Sequence, residues 1–198
     1  MNQMYSQNSP FAPEPSQNNT SSFWETVRFV FLAVAIVIFI RMFIAQPFVV
    51  HGESMDPTFA QGQYLIVDEI SYHISKPERG DVAIIRYPQN PSTFFIKRVV
   101  GLPGETIKIE GSKVTIYNDE FPSGFTIEEP YVEFPANNRL EKKIGENDYF
   151  VMGDNRAKSS DSRLWGTVPS KYMVGRALVR LLPFQTFSLL PGDIEFDN

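Results

Sequence analysis

Residues 29–40 read Phe-Val-Phe-Leu-Ala-Val-Ala-Ile-Val-Ile-Phe-Ile, twelve apolar residues without a break. A helix made of them has no polar face to turn to water, so it must be surrounded by something apolar. Alone the run is about 18 Å long, short of the roughly 20 residues a bilayer requires. Extended from Trp24 to Ala45 it reaches 22 residues, or about 33 Å. Arg28 and Arg41 then lie toward its ends, where long side chains reach the headgroups, and Trp24 suits an interface anchor. We read 23–45 as a single membrane-spanning helix. The alternatives are a buried helix of a soluble domain and a cleaved signal peptide. The second would carry an n-region of 28 residues nearly free of cations. One arginine at each end selects no orientation.

Residues 1–22 are rich in Asn, Gln, Ser and Pro and read as a disordered tail. Gln46-Pro47 closes the helix, because the residue before a proline is driven out of helical geometry. Beyond it the chain breaks into short β-rich runs bounded by glycine and proline: 48–50, 64–70, 82–87, 94–100, 106–109, 113–117, 149–152 and 171–182. Gly111-Ser112 between two of them is a two-residue hairpin signal. Residues 118–147 lose this periodicity. The expected fold is mostly β: one N-terminal transmembrane helix, an all-β core over 46–104 and 149–183, a small inserted lobe over 105–148, and a C-terminal tail over 184–198.

Composition removes several chemistries. The chain has no cysteine, which excludes thiol catalysis, disulfides and thiolate metal sites. Its two histidines, His51 and His73, do not form a His-Glu-x-x-His motif. The formal net charge is -5 and no dense Lys/Arg tract occurs, so nucleic acid is not an expected partner.

Two segments offer a hydroxyl and an amine. Gly52-Glu53-Ser54-Met55-Asp56-Pro57-Thr58 follows the apolar run directly. Pro57 fixes its own φ and Gly52 permits a close backbone approach, a setting for a serine with N–H groups around one carbonyl. In Phe95-Ile96-Lys97-Arg98-Val99-Val100-Gly101, strand alternation puts Lys97 on one face with Phe95 and Val99, and Arg98 on the other with Ile96 and Val100. An ammonium among apolar neighbours is desolvated, which favours the neutral amine, and a neutral amine accepts a proton from a serine hydroxyl. The bland alternative is an edge-strand lysine that guards against aggregation. A third segment, Gly153 to Gly166, alternates acids, arginines and serines and suits an ion-paired scaffold behind a site, with Ser159, Ser160 and Ser162 as candidates to orient a lysine amine; from composition alone it is a solvated loop.

In combination these segments resemble the bacterial type I signal peptidases, membrane-bound serine/lysine endopeptidases that remove signal peptides. The resemblance covers about residues 24–183. It is carried by Ser54-Met55-Asp56-Pro57-Thr58, by Gly80-Asp81, by the run from Ile96 to Gly104, and by Gly153-Asp154-Asn155-Arg156 followed by Ser159, Asp161-Ser162-Arg163 and Trp165-Gly166. It implies a protease core like that of self-cleaving repressors, with Ser54 as nucleophile, Lys97 as general base and the Ser159 hydroxyl orienting the Lys97 amine. Salt bridges Asp154–Arg98 and Asp161–Arg163 would brace the site. Met55, Pro57, Gly153 and Asn155 belong to the motifs, and Gly80 and Asp81 read as structural. The Ser54 N–H would be one oxyanion donor. Some relatives carry a serine two residues before the nucleophile as the second. This chain has Gly52 there, leaving a backbone group or a water for a contribution of about 3–4 kcal/mol.

The same resemblance implies no metal and no organic cofactor. Its partners would be preproteins bearing signal peptides, the lipid bilayer, and the Sec and Tat export machinery nearby. It implies a single-pass protein of the bacterial cell membrane, N-terminus cytoplasmic and catalytic domain outside. Phe48, Val49 and the Phe59 region would form an apolar lip toward lipid. Substrates would lie extended, with small residues, usually alanine, at the first and third positions before the cut. Their pockets would come from the strand before Ser54 and the strand at 82–87. Three rival readings are a Ser-His-Asp hydrolase using His51 or His73, a self-cleaving repressor, and a non-enzymatic β-domain that binds peptides. The repressor would need a DNA-binding domain, yet residues 1–23 hold no Lys or Arg.

Overall fold

The computed structural model describes residues 19–43 and 45–194, with the side chains of 23–37 and 46–194. The chain divides into two units, Met1–Phe39 and Ile40–Asn198. Helix α1, Asn19–Phe43, contains neither proline nor glycine and runs for 25 residues. The side chains of its first unit are largely exposed, among them Phe29, Phe31 and Val37. Among the described residues no helix is long and apolar enough to cross a membrane. The expected span over 23–45 is therefore not met there, although its residues 38–45 have side chains outside the described set. Of the expected tail, residues 1–18 also lie outside the described residues, and Asn19–Ser22 belong to α1.

Among its described residues the second unit is built of twelve strands. In chain order these are β1 (Ala45–Val49), β2 (Tyr64–Asp68), β3 (Val82–Tyr87), β4 (Asn90–Gly101), β5 (Thr106–Gly111), β6 (Lys113–Tyr117), β7 (Phe125–Thr126), β8 (Asn138–Lys143), β9 (Asp148–Met152), β10 (Val168–Pro169), β11 (Met173–Leu182) and β12 (Ser188–Leu189). Two one-turn helices interrupt them, α2 (Ser71–Ile74) and α3 (Ser162–Trp165). The larger sheet has the order β1-β2-β11-β3-β4-β9-β10, with β12 added beside β11. The smaller runs β7-β6-β5-β8. The pairings are antiparallel throughout.

Alternation along the strands explains the core. In β2 Leu65 and Val67 are buried while their neighbours are not. They join Val50, Met55, Phe59, Val82, Ile84, Ile96 and Ala177 in one cluster under the Ser54 turn. A second cluster joins Ile107, Ile109, Val114 and Ile116 of the insert to Val100, Phe150 and Met152 of the larger sheet. The insert thus shares apolar packing with the main sheet and is not a detached lobe. β5 and β6 meet at Glu110↔Lys113 across Gly111-Ser112, as the hairpin signal predicts, and Gly111 takes the positive φ of 67° that an L side chain resists.

Two segments depart from the sequence reading. Residues 138–143, Asn-Arg-Leu-Glu-Lys-Lys, are too polar to signal a strand, yet they pair with β5 over six residues. They form the edge of the smaller sheet, where charged side chains are tolerated and discourage further pairing. The segment beginning at 184 is no simple tail. Phe184–Thr186 makes a 3-10 turn, Ser188–Leu189 pairs with β11, and Gly192 docks on Arg98.

Candidate active site

Three pieces of chain converge on the middle of β4. Strand β4 lies between β3 and β9, with Ala83 opposite Lys97 and Met152 opposite Arg98. An interior strand has neighbours on both sides, so the edge-lysine alternative falls: Lys97 is 3% exposed and Arg98 0%. The second piece is the turn after β1. Met55 and Phe59 anchor it in the core, and the Phe59 N–H bonds the Met55 carbonyl at 2.8 Å. The third is the loop from Gly153 to Ser162, which leaves β9 where β9 passes Arg98.

Ser54 is half-buried, and its Oγ stands 2.8 Å from Lys97 Nζ. The amine also donates to the Ile96 carbonyl at 2.9 Å and lies 5.1 Å from the centre of the Phe95 ring. Burial pushes its pKa down to about 8; Asp161 and Asp154 pull it back up in part, and Arg163 opposes them. The physical cause is desolvation of the cation. The hydroxyl and the amine singled out from two separate segments thus stand within hydrogen-bond reach of each other.

Two ion pairs, Arg98–Asp154 and Arg163–Asp161, lie behind Ser54 and Lys97. Arg98 grips Asp154 through Nε–Oδ1 at 2.8 Å and Nη2–Oδ2 at 2.6 Å, with both side chains fully buried. Its Nη1 donates to the carbonyls of Gly80 at 2.8 Å and Gly192 at 2.5 Å. Thr58 Oγ1 donates to Asp154 at 2.6 Å and so ties the serine turn to this pair. Arg163 grips Asp161 at 2.8 Å through both Nε and Nη2, and Asp161 accepts the Gly153 N–H at 3.1 Å. The Asn155 N–H reaches the Ser54 carbonyl at 3.1 Å. Gly153 is glycine for a reason of space: a Cβ there would stand 2.3 Å from both the Ser54 carbonyl oxygen and Ser159 Oγ.

Gly80 turns with a φ of 98°. Asp81 accepts from Tyr72 and from the Glu78 N–H, each at 3.0 Å, which suits the structural reading of both residues. Pro57 is exposed on the serine turn. Ser159 differs from expectation. Its Oγ is buried beside Gly153 without a hydrogen-bond partner, while the Lys97 amine is engaged by Ser54 and Ile96. The expected hydrogen bond between Ser159 and Lys97 is absent from this geometry. Gly52 has a φ of 85° and open space where its Cβ would project.

A cleft of about 380 Å³ opens beside Ser54 and Lys97. One wall is the stretch from Pro47 to His51, the other is Phe94 to Lys97, and Leu65 and Ile84 form its floor. The second wall is therefore β4; β3 contributes only Ile84, which corrects the expectation that the strand at 82–87 would supply it. Phe59 is 0% exposed and belongs to the core, not to an apolar lip; Phe48 and Val49 do line the cleft. His51 lies exposed at the cleft, and His73 Nδ1 contacts the Glu69 carbonyl at 2.7 Å. Neither is the partner of Ser54 Oγ. No group of three or more His, Asp or Glu able to hold a metal is gathered among the described residues.

Sequence reasoning missed the contribution of the insert. Glu129 pairs with Arg156 through two bonds of 2.7 and 2.5 Å, and the Tyr131 ring centre lies 4.0 Å from the Arg98 guanidinium carbon. The available signal was an unmatched cation: Arg156 has a motif position but no acid assigned to it.

The family model described as "Signal peptidase, peptidase S26" matches residues 23–182. A signal peptidase I of Leptolyngbya laminosa is 39% identical over 187 residues, covering 89% of each chain. A probable signal peptidase I-1 of Synechocystis sp. is 34% identical over 198 residues, covering 96% of this chain and 95% of the relative. A signal peptidase I of Bacillus licheniformis is 33% identical over 186 residues, covering 86% and 95%. With a family model spanning most of its length and relatives matched almost end to end, the chain belongs to the peptidase S26 family of signal peptidases and is a serine endopeptidase.

Proposed function

We propose that this enzyme removes N-terminal signal peptides from exported preproteins, using Ser54 as nucleophile and Lys97 as general base. The observation that carries the reading is a buried amine, its pKa lowered to about 8, standing 2.8 Å from a serine hydroxyl at the wall of a cleft. Neutral Lys97 takes the Ser54 proton as Oγ attacks the scissile carbonyl. The Ser54 N–H stabilises the tetrahedral oxyanion, and a backbone group or water supplies the second donor where Gly52 stands. Lys97 then gives its proton to the leaving amine. The same amine activates the water that releases the acyl-enzyme. Ser159 orients the Lys97 amine in the substrate-bound state, after a rotation of its free hydroxyl. Catalytic hydrogen bonds often tighten only when substrate binds.

The substrate lies extended in the cleft, as an added strand. The aromatic and branched side chains of Phe48, Phe94 and Ile96 narrow the walls, which favours small residues such as alanine at the first and third positions before the cut. The helix serves as a membrane anchor. What supports this is the unbroken apolar run 29–40 and the exposure of Phe29, Phe31 and Val37 within their own unit. The membrane is that of a bacterial cell, crossed once, with the N-terminus cytoplasmic and the catalytic domain outside, near the Sec and Tat exits.

The test is incubation of the full chain in detergent with a preprotein, mapping the cut by mass. Ser54→Ala and Lys97→Ala each abolish cleavage while keeping the fold. Near-normal turnover by Lys97→Ala would remove the lysine from the mechanism.

A further inference from the structure

We infer that the inserted segment 127–138 positions the nucleophile, with Glu129 as the chief positioning residue; the inference rests on the Ser54/Lys97 reading above. Four contacts link this segment to the back of the site. Glu129 holds Arg156 in a bidentate pair whose side chains are 8% and 6% exposed. The Tyr131 ring packs on Arg98, and its hydroxyl donates to Glu129 at 2.8 Å. The Phe134 carbonyl accepts the Ala157 N–H at 3.2 Å. Asn138 Oδ1 accepts from Arg163 Nη1 at 2.7 Å.

Two of these contacts reach the turn that holds Ser54: Glu129 through Arg156 itself, and Asn138 through Arg163, whose Nη2 donates to the Arg156 carbonyl at 2.8 Å. Arg156 Nε donates to the Gly153 carbonyl at 3.1 Å, so the guanidinium closes the turn from Gly153 to Arg156 on itself. Inside that turn the Asn155 N–H bonds the Ser54 carbonyl. Glu129 is thus three hydrogen bonds from the backbone of the nucleophile, through Arg156 and the turn it closes. Charge balance gives the same result. Arg98, Arg156 and Arg163 are three buried guanidiniums behind the site. Asp154 and Asp161, from the site loop itself, answer two of them. Glu129, from the insert, answers the third. A guanidinium fixed in two directions by one carboxylate has little freedom to reorient. Without that carboxylate Arg156 must seek water, and it releases the Gly153 carbonyl as it turns.

The experiment uses the full chain in detergent micelles and the p-nitrophenyl ester of N-acetyl-Ala-Leu-Ala. The p-nitrophenolate burst counts competent sites and gives the acylation rate for each of them. Glu129→Gln keeps the shape and loses the charge, and we expect acylation per competent site to fall about tenfold or more, as for a sub-ångström misplacement of a reacting group, with KM nearly unchanged. Asn138→Ala, a milder change at the far end of the segment, lowers it severalfold. A merely structural role predicts something else: fewer competent sites, each acylated at the wild-type rate. That result in Glu129→Gln overturns the inference. If Glu129→Gln does not fold, an unchanged rate per site in Asn138→Ala overturns it. Wild type that gives no burst on Ser54 would sink the dyad reading itself, whereas a normal wild-type burst with unchanged variants sinks only the role of the insert.

Discussion

Gly153→Ala places one methyl group between Ser54, the proposed nucleophile, and its support. The new Cβ would lie 2.3 Å from the Ser54 carbonyl oxygen, where ordinary contact begins at 3.4 Å, so about 1.1 Å of clearance is missing. Ser159 Oγ, also 2.3 Å away, can rotate, but Ser159 Cβ at 2.6 Å cannot, so the loop carrying Ser159 must yield as well. The Ser54 carbonyl is backbone, held by the Asn155 N–H at 3.1 Å, and has no such freedom. Backbone of the serine turn must therefore shift by an appreciable fraction of an ångström, carrying Oγ away from Lys97 Nζ. A misplacement on the order of 1 Å costs about 100-fold in rate, while overpacking of this kind costs about 1–3 kcal/mol in stability. The two effects separate in one preparation: preprotein cleavage followed by mass, and thermal unfolding followed by circular dichroism. We expect cleavage down by about two orders of magnitude in a protein that still melts cooperatively. Activity within threefold of wild type would refute the claim that the Gly153 approach fixes the nucleophile.

Further predictions concern the buried charges and the C-terminal strap. Burial holds the folded Lys97 amine at a pKa of about 8 against 10.5, so the unfolded chain binds the extra proton between those values. The cost of the buried cation is present below pH 8 and disappears toward pH 10.5. The stability gap between Lys97→Met and wild type should therefore shift in favour of wild type by about 3 kcal/mol from pH 7 to 10.5, and a gap independent of pH in urea titrations speaks against the desolvated amine. Arg98→Met strands Asp154, which is 0% exposed, and should cost about 3–5 kcal/mol; an unchanged urea midpoint would contradict the buried pair. Ending the chain at Pro183 removes β12 and the Gly192 carbonyl bonded to Arg98. Loss of that charge-assisted bond alone should cost about 2 kcal/mol, and a truncated chain as stable as the whole would show the strap to be idle.

Much of the site was legible because its chemistry is local in sequence. Period-two alternation put Lys97 among apolar residues, and the structure buries it. The glycine-first hairpin at Gly111-Ser112 followed from φ preference alone. What escaped depends on contacts between distant segments. β8 is a strand because β5 offers it a register, not because Asn138–Lys143 has any strand pattern. Residues 184–198 read as a C-terminal tail, but Gly192 meets Arg98, 94 positions away. Glu129 and Tyr131 lay in a stretch without periodicity, and only the fold reveals that they answer Arg156 and Arg98. The second cleft wall was misassigned to β3 because the sequence does not tell which of two adjacent strands faces the opening.

Catalysis by Ser54 and Lys97 turns on the charge of one amine. Selective isotope labelling of lysine, with Lys97→Met to assign the resonance, allows the Lys97 side chain to be titrated by NMR in detergent micelles. The predicted midpoint is about 8, which leaves about a tenth of the molecules with a neutral amine at pH 7, against roughly one in three thousand for an unperturbed lysine. The acidic limb of the cleavage rate should follow the same curve. A midpoint near 10.5, with the amine charged throughout the range in which the enzyme cuts, would contradict Lys97 as the base.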